Sequence, residues 1–403
     1  MATETAAPSR RSARPGDRRA LVVMTIAHGI QHFYVAGLAI TYPFIVADLH
    51  VSYAVLGVVL TVAGVAGGLL QGAAGVLRNA RARGVLALQN AGLAASAALA
   101  AVAPGFGLFA AARLLGALVS WPQHPVGSAY LSDRFPTRRG TVLSWHTAGG
   151  SIGTVTVPLL VTAVIAAAGW RWALVALGGA LAVGAALVGL ALPSERPHEA
   201  GGPAETEKTS LRQLLRQPGV AAVLAASTIA AGGRGLGTVS TYAPAFLKSG
   251  LRLPTLTVGI VFTVIMAASV VGPVLGGSLA DRVGRRRTLI VTYFAAAVAL
   301  CAFGFAGAHL ALLVPFGLLV GVFAYAESPL LQAVFSDLIG PGRARSAFGT
   351  FFAIAYGIGA LWTALLGWII TAAGFPAAFA TMAGSFVLAG LIVIKGLKES
   401  PAA

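Results

Sequence analysis

Long apolar stretches recur along the whole chain and constrain its fold more than any other sequence feature. They run from about residue 20 to residue 396, separated by short polar breaks. Each is long enough to cross a hydrocarbon core, which takes a helix about 20 residues. Only 10% of the residues are charged, against roughly a quarter in soluble domains. No alternating strands of about ten residues, as in a membrane barrel, are visible. The sequence therefore predicts an all-α membrane protein.

The polar breaks define twelve predicted transmembrane helices. We place these spans near 20–47, 54–77, 84–103, 106–131, 140–168, 170–192, 219–247, 255–279, 287–307, 309–338, 346–373 and 375–396. The longest break begins at Pro193 and is rich in Gly, Glu and Thr, a composition typical of a linker. We predict a tail over 1–19, a six-helix bundle over 20–192, a linker over 193–218, a second bundle over 219–396 and a tail over 397–403.

The distribution of basic residues predicts the orientation in the membrane. The net charge is +16, which taken alone would suggest a nucleic-acid partner. However, nearly all basic loop residues lie on the side of the chain termini, and only Arg171, Lys248 and Arg252 lie in loops on the other side. This asymmetry follows the positive-inside rule. We expect a multi-pass protein of a bacterial-type cytoplasmic (inner) membrane, with both termini and the linker cytoplasmic. We expect it to contact the lipid bilayer and no nucleic acid.

The two predicted bundles share a sequence pattern. Residues of the fourth span recur in the tenth at a constant offset of 204 positions: Pro125, Ala129, Ser132 and Asp133 correspond to Pro329, Ala333, Ser336 and Asp337. This pattern favours a duplicated six-helix unit, the arrangement of transporters that bind substrate between two halves near the membrane midplane. In the fifth span, Gly149, Gly150 and Gly153 form a small-residue face that allows close helix contact in lipid.

The loop after the eighth span carries the most specific motif. Residues 277–286 read Gly-Ser-Leu-Ala-Asp-Arg-Val-Gly-Arg-Arg, and they resemble the signature loop of the major facilitator superfamily. The resemblance implies that Asp281, Arg282, Gly284 and Arg285 gate the transport cycle through a charge network. The duplicate loop after the second span has Asn79 where the acid is expected, so we expect a weaker gating contact in that half.

Three further stretches refine the resemblance. Residues 113–116, Arg-Leu-Leu-Gly, resemble an arginine motif of proton-coupled members. Residues 123–130 and 149–153 are most similar to the fosmidomycin-resistance-like exporters within the superfamily. This resemblance implies proton-driven drug export.

Ionisable side chains inside predicted spans are few, and such groups usually face a cavity because exposing them to lipid is costly. Arg234 lies among glycines in the seventh span, and its guanidinium suits carboxylate or phosphonate. It either binds an anionic substrate or forms a salt bridge with Glu327, the only acid deep in a span. Glu327 is a candidate proton carrier or an arginine partner. Arg113 is assigned a structural or coupling role.

Four histidines lie in the spans of the first half. His28 and His32 are four residues apart and share a helix face, while His124 and His146 lie in the fourth and fifth spans. We expect His32 and His124 to meet in the cavity and bind substrate, and His28 and His146 to couple protons with Glu327 and Arg113. Other substrate-binding candidates, besides Arg234, are Gln31, Gln123, Tyr34, Tyr242 and Tyr356. No cofactor or metal is expected, because no carboxylate or thiolate joins the histidines; a histidine metal cluster remains the alternative.

These features predict a secondary transporter rather than an enzyme. The leading hypothesis is proton-coupled export of a small anionic or drug-like molecule by a monomer that works by alternating access. The partners are the small-molecule substrate, protons and lipid. The alternative is organic-anion uptake by proton symport or facilitated diffusion. A membrane enzyme would need a nucleophile or metal motif that the sequence does not show, and a non-transporting receptor is the remaining hypothesis.

Overall fold

The computed structural model describes residues 16–72, 81–135, 137–193, 211–339 and 344–398, and all regular structure within these ranges is helical. The first three spans are Asp17–Asp48, Tyr53–Gly72 and Ala82–Ala101. The fourth consists of Phe106–Ser120 and Gln123–Arg134. Arg139–Ala168 and Trp170–Ala191 form the fifth and sixth spans. The predicted N-terminal tail, Asn79 and most of the predicted linker lie outside the described residues.

The second half begins with the short helix Leu211–Leu215. The seventh span is discontinuous and comprises Val220–Ala230, a π-helical turn Gly235–Val239, Ser240–Ala245 and a second π-helical turn Phe246–Gly250. Thr255–Val283, Arg285–Gly304 and Leu310–Ile339 form the eighth to tenth spans. The eleventh begins with Ala344–Phe352 and the π-helical Ala353–Ile358, and it continues into Leu361–Gly396, which also contains the twelfth span.

Two helix breaks explain how the chain makes twelve crossings. Ten helical segments of the described residues are individually long and apolar enough to span a membrane. The fourth span is interrupted at Trp121 and Pro122, where proline supplies no amide donor. The segment Ala347–Gly396 is long enough for two spans, and Gly374, with φ of 84°, breaks it. The predicted twelve-helix fold is confirmed.

The two halves repeat the same helix contacts. The second span packs on the fourth and the third on the sixth, as the eighth packs on the tenth and the ninth on the twelfth. Contacts between halves run mainly through the second and eleventh spans and through the fifth and eighth. These repeated pairs confirm the predicted pair of pseudo-symmetric six-helix bundles.

The hydrogen bonds between the halves are concentrated toward one end of the molecule. We call the end with Gly16 and Lys398 the terminal face, and the end with the Asp48–Arg171 ion pair the opposite face. At the opposite face the Tyr53 and Ser249 hydroxyls are 2.8 Å apart, and the Ala54 amide donates to the Thr371 hydroxyl at 3.0 Å. Among the described residues, the halves are thus joined by hydrogen bonds nearer the opposite face.

One further inter-half contact lies deeper in the bundle. The Thr61 hydroxyl donates to the Ala360 carbonyl at 2.9 Å and accepts from the Ala364 amide at 2.9 Å. Because one side chain bonds two backbone groups that follow the break in the eleventh span, it joins the second and eleventh spans at a defined register.

The first and fifth spans meet along a seam of glycines. A Cβ at Gly149 would collide with the Thr25 carbonyl, and a Cβ at Gly153 would collide with the Gly29 carbonyl. The two backbones are therefore in direct contact, as small-residue interfaces in lipid allow. This confirms the close contact predicted for the fifth-span glycines, and it places His28 and His32 beside the fifth span.

Candidate functional site

Arg234 occupies a break in the seventh span. The helix Val220–Ala230 ends before it, and Arg234 itself is extended, with φ of −61° and ψ of 129°. Gly232 and Gly233 precede it, and a Cβ at either would press on neighbouring spans: on Ser385 and Trp362 from Gly232, and on the Met382 carbonyl from Gly233. The glycines thus let the broken segment pack tightly while the arginine side chain turns into the bundle.

Arg234 and Glu327 form a buried bidentate ion pair. Nε of Arg234 lies 3.0 Å from Oε2 of Glu327, and Nη2 lies 3.3 Å from Oε1. Arg234 is 5% exposed and Glu327 is 0% exposed. The same Nη2 donates to the carbonyl and the hydroxyl of Ser227, and Tyr293 donates to Oε1 of Glu327 at 3.2 Å. The pairing and the additional hydrogen bonds offset the desolvation cost of burying the two charges.

Tyr356 connects this pair to less buried side chains. The Arg234 guanidinium carbon lies 5.4 Å from the Tyr356 ring centroid, within cation–π distance. The Tyr356 hydroxyl is 3.4 Å from the Ser328 hydroxyl, to which Gln332 donates at 3.0 Å. Tyr356, Ser328 and Gln332 are all half-buried. The predicted candidate Tyr356 therefore lies between the ion pair and the less buried side chains Ser328 and Gln332.

The four histidines of the first half form one cluster. The ring centroid of His28 lies 4.5 Å from that of His32, 5.2 Å from that of His124 and 4.1 Å from that of His146. The His32 and His124 centroids are 5.9 Å apart, so these two meet as predicted. His28 and His146 are buried, His32 is half-buried and His124 is exposed. The cluster thus extends from the protein interior to an accessible surface.

Hydrogen bonds orient two of these imidazoles. Nδ1 of His28 lies 2.7 Å from the His146 carbonyl, which can only accept, so Nδ1 carries the proton. Nδ1 of His32 lies 3.1 Å from the Thr154 hydroxyl. That hydroxyl donates to the Gly150 carbonyl at 2.9 Å, so it accepts from His32. In the neutral imidazoles, Nε2 of both His28 and His32 therefore carries a free lone pair.

Arg113 has a different environment from Arg234. The hydroxyls of Tyr34 and Tyr42 lie near its guanidinium, and no carboxylate pairs with it among the described residues. Gln31 donates to the Ser120 carbonyl at 3.1 Å. Gln123 is fully buried, and its amide group has no hydrogen-bond partner within the described part of the chain. The polar groups described in this half therefore include a cation without a countercharge.

Tyr242 does not join these groups. It is fully buried, and its hydroxyl donates to the Thr363 carbonyl beside Gly57 of the second span. In this conformation it belongs to the contact between the halves, because its hydroxyl is already bonded and inaccessible. The prediction of direct substrate contact by Tyr242 gains no support from this position.

The signature loop makes a different ion pair from the one expected. Asp281 and Arg282 are exposed, without an ion pair in the described ranges. Arg285 instead pairs with Asp337 of the tenth span and donates to the Ala333 carbonyl at 3.1 Å. Gly284 has φ of 95°, which suits the turn into the ninth span. The loop is thus anchored to the repeated acidic position of the tenth span rather than through Asp281.

Sequence reasoning missed several side chains of the site, among them Ser227, Tyr293 and Thr154. Single hydroxyl residues in apolar spans rarely stand out, since a hydroxyl can bond its own helix. One signal was present for Tyr293, which corresponds through the 204-residue offset to Gln89, another polar residue inside a span.

The fold and these buried polar clusters define a membrane transporter rather than an enzyme. The family model of the Major Facilitator Superfamily matches residues 24–272 and 233–403. The chain therefore belongs to the major facilitator superfamily of secondary transporters. No curated protein matches the sequence significantly.

Solved structures with a similar fold include several transporters. A point mutant of the nucleoside transporter NupG has a TM-score of 0.81 at 16% identity, over 94% of this chain and 100% of that one. A bacterial homolog of the human lysosomal transporter Spinster, in an inward-facing and unoccupied conformation, has a TM-score of 0.74 at 15% identity, over 94% and 95%. The human organic anion transporter MFSD10 has a TM-score of 0.63 at 18% identity, over 94% and 100%.

Proposed function

We propose that this chain is a proton-coupled transporter of a small organic anion that works by alternating access. The main support is the buried Arg234–Glu327 pair, in which the arginine already holds a carboxylate through two hydrogen bonds. A substrate carboxylate or phosphonate would present the same acceptor geometry to the same guanidinium. The organic anion transporter among the similar structures fits this substrate class.

Protonation of Glu327 is the coupling step of this mechanism. With Glu327 ionised, an anion must displace it from Arg234 and leave a buried charge unpaired, which costs about 3–5 kcal/mol. With Glu327 protonated, Arg234 is free to bind the anion. This energy corresponds to anion binding that is at least about 100-fold tighter when Glu327 is protonated than when it is ionised. Proton and anion therefore load together, which favours the symport alternative over export.

Export remains the second candidate because of the residues that resemble the fosmidomycin-resistance-like exporters. Arg113 has no carboxylate partner among the described residues, so an anion bound there does not compete with Glu327. Binding at Arg113 would leave proton exchange at Glu327 free to proceed separately. This arrangement permits antiport, and the response to a pH gradient distinguishes the two candidates.

The described conformation fits one state of alternating access. The halves are hydrogen-bonded toward the opposite face. If the terminal face is cytoplasmic, as the positive-inside rule predicts, the described state is closed to the exterior. A similar structure has been determined in an inward-facing conformation. We propose an inward-facing state of a monomer in a bacterial-type inner membrane.

A liposome assay with purified protein tests the proposal. Radiolabelled organic anions are offered under an imposed pH gradient of either sign. Symport predicts accumulation when the exterior is acidic, and antiport predicts accumulation when the interior is acidic. Glu327→Gln should retain exchange of anion across the membrane but lose uphill transport. Uphill transport by Glu327→Gln at the wild-type rate would exclude coupling by this glutamate.

A further inference from the structure

We propose that His28, His32 and His124 form a binding site for a divalent transition-metal ion such as Zn²⁺. The nitrogen ligand atoms of the three side chains all lie within 4.8 Å of one another. Tetrahedral zinc at about 2.0–2.1 Å from each nitrogen requires ligand separations of about 3.4 Å. The ligand atoms must therefore approach one another by up to about 1.4 Å when the ion binds.

The ring positions match a three-histidine site. A tetrahedral zinc holds the centroids of its imidazole ligands about 5 Å apart. The three observed separations are 4.5, 5.2 and 5.9 Å, and their mean lies close to that value. His146 stacks parallel to His28 at 11°. It therefore supports the His28 ring from one side and does not belong to the ligand set.

The hydrogen bonds select the nitrogens that bind metal. The protons on Nδ1 of His28 and His32 are held by the His146 carbonyl and the Thr154 hydroxyl. Metal-binding histidines characteristically donate their second nitrogen in this way, which fixes the tautomer and the ring orientation. Nε2 of His28 is buried and has no hydrogen-bond partner among the described residues. A metal ion would supply that partner.

The chemistry of the donors limits the class of ion. Neutral imidazoles suit Zn²⁺, Ni²⁺, Co²⁺ or Cu²⁺, whereas Mg²⁺ and Ca²⁺ prefer oxygen ligands. Three protein ligands leave a fourth position for water or another ligand. The exposed His124 places that position on the accessible side of the cluster. If the proposed anion specificity is right, an anionic substrate group can coordinate there; the metal site itself does not depend on that specificity.

The first test measures metal binding without transport. Protein purified with a tag free of histidine is titrated with Zn²⁺, bound metal is counted by mass spectrometry, and Co²⁺ absorption reports the geometry. We expect one ion per chain, an intense tetrahedral Co²⁺ spectrum and no competition by excess Ca²⁺. Absence of stoichiometric Zn²⁺, Ni²⁺ and Co²⁺ binding, or a weak octahedral Co²⁺ spectrum, would overturn the site.

Variants locate the ion at this cluster. His32→Gln and His124→Gln should each weaken Zn²⁺ binding by about 100-fold or more, while His309→Gln, in an exposed loop, should match wild type. Thr154→Val removes the group that orients His32 and should cost about 10–100-fold, whereas Thr154→Ser should restore binding. Size-exclusion profiles and thermal unfolding confirm that each variant is folded. Undiminished binding by folded His32→Gln or His124→Gln would refute the assignment.

Discussion

The two six-helix halves differ in how their buried polar side chains are compensated. In the second half, Arg234 and Glu327 compensate each other, and Ser227 and Tyr293 add further hydrogen bonds to them. In the first half, the position equivalent to Glu327 is Gln123, 204 residues earlier. Histidines and glutamines take the place of the acid there, and Arg113 has no carboxylate partner among the described residues. One half therefore holds a compensated pair of buried charges, and the other holds a cation without a described countercharge.

The largest expected effect comes from breaking the ion pair of the second half. Glu327→Gln or Arg234→Gln leaves one buried charge unpaired and should lower the free energy of unfolding by about 3–5 kcal/mol. The double variant Arg234→Met/Glu327→Met should recover most of that loss, because it buries no charge. SDS-titration unfolding in detergent measures all three. Equal losses in the single and double variants would show that the pair is not a compensated unit.

Arg113 should behave in the opposite way. Arg113→Gln removes a cation without a partner carboxylate among the described residues, so the free energy of unfolding should fall by about 1 kcal/mol or less. If the anion binds at Arg113, as the export candidate requires, its affinity should fall by about 10–100-fold in this variant, since a hydrogen bond to a charged group contributes about 1.5–3 kcal/mol; symport with the anion at Arg234 predicts an unchanged affinity. Isothermal titration with a transported anion measures the affinity. If Arg113→Gln destabilises the protein as strongly as Arg234→Gln, the contrast between the halves fails.

The packing around Gly150 provides a third comparison. An alanine Cβ there would lie 2.9 Å from Cε1 of His28 and 3.1 Å from Cδ2 of His32. Because both imidazoles must shift, Gly150→Ala should cost about 1–3 kcal/mol of stability. Gly384→Ala is the matched control, since its Cβ meets open space within 4 Å. The control should be neutral or stabilising by up to about 1 kcal/mol.

The smallest effects are expected at a second pair of equivalent positions, Tyr293 and Gln89. Tyr293→Phe removes a donor to Glu327 and should cost about 1 kcal/mol. Gln89 is 2% exposed and neither polar atom of its amide has a partner among the described residues. Gln89→Leu should therefore be neutral or stabilising in the same unfolding assay. A larger cost for Gln89→Leu than for Tyr293→Phe would show that the Gln89 amide makes hydrogen bonds to partners other than protein groups.

Hydropathy and charge patterns could predict the fold because each pattern extends over a whole membrane span. They identified twelve crossings, the two halves and the short list of buried ionisable residues. The pairing of Arg234 with Glu327 was one of two alternatives, and no pattern decided between them. The decision depends on the extended backbone at Arg234, beside which Gly232 and Gly233 pack closely against Trp362, Ser385 and Met382. Such long-range contacts leave no periodic signal.

The histidine cluster shows the same limit. The i, i+4 spacing places His28 beside His32, and the fold brings His124 close to them. The stacking of His146 on His28 depends on how closely the first and fifth spans approach. That approach is set by backbone contacts at Gly149 and Gly153. The sequence shows that small residues are present but not which register they adopt.

That glycine seam has a consequence for the transport cycle. Where backbones touch directly, helices cannot slide without collision, since no flexible side chain lies between them to adapt. The first and fifth spans should therefore travel as one body when the halves rock. The distances among His28, His32 and His146, which these two spans carry, would then be equal in both states of the cycle. The orientation of His28 and His32, which the His146 carbonyl and the Thr154 hydroxyl of the fifth span fix, would therefore be kept through each turnover.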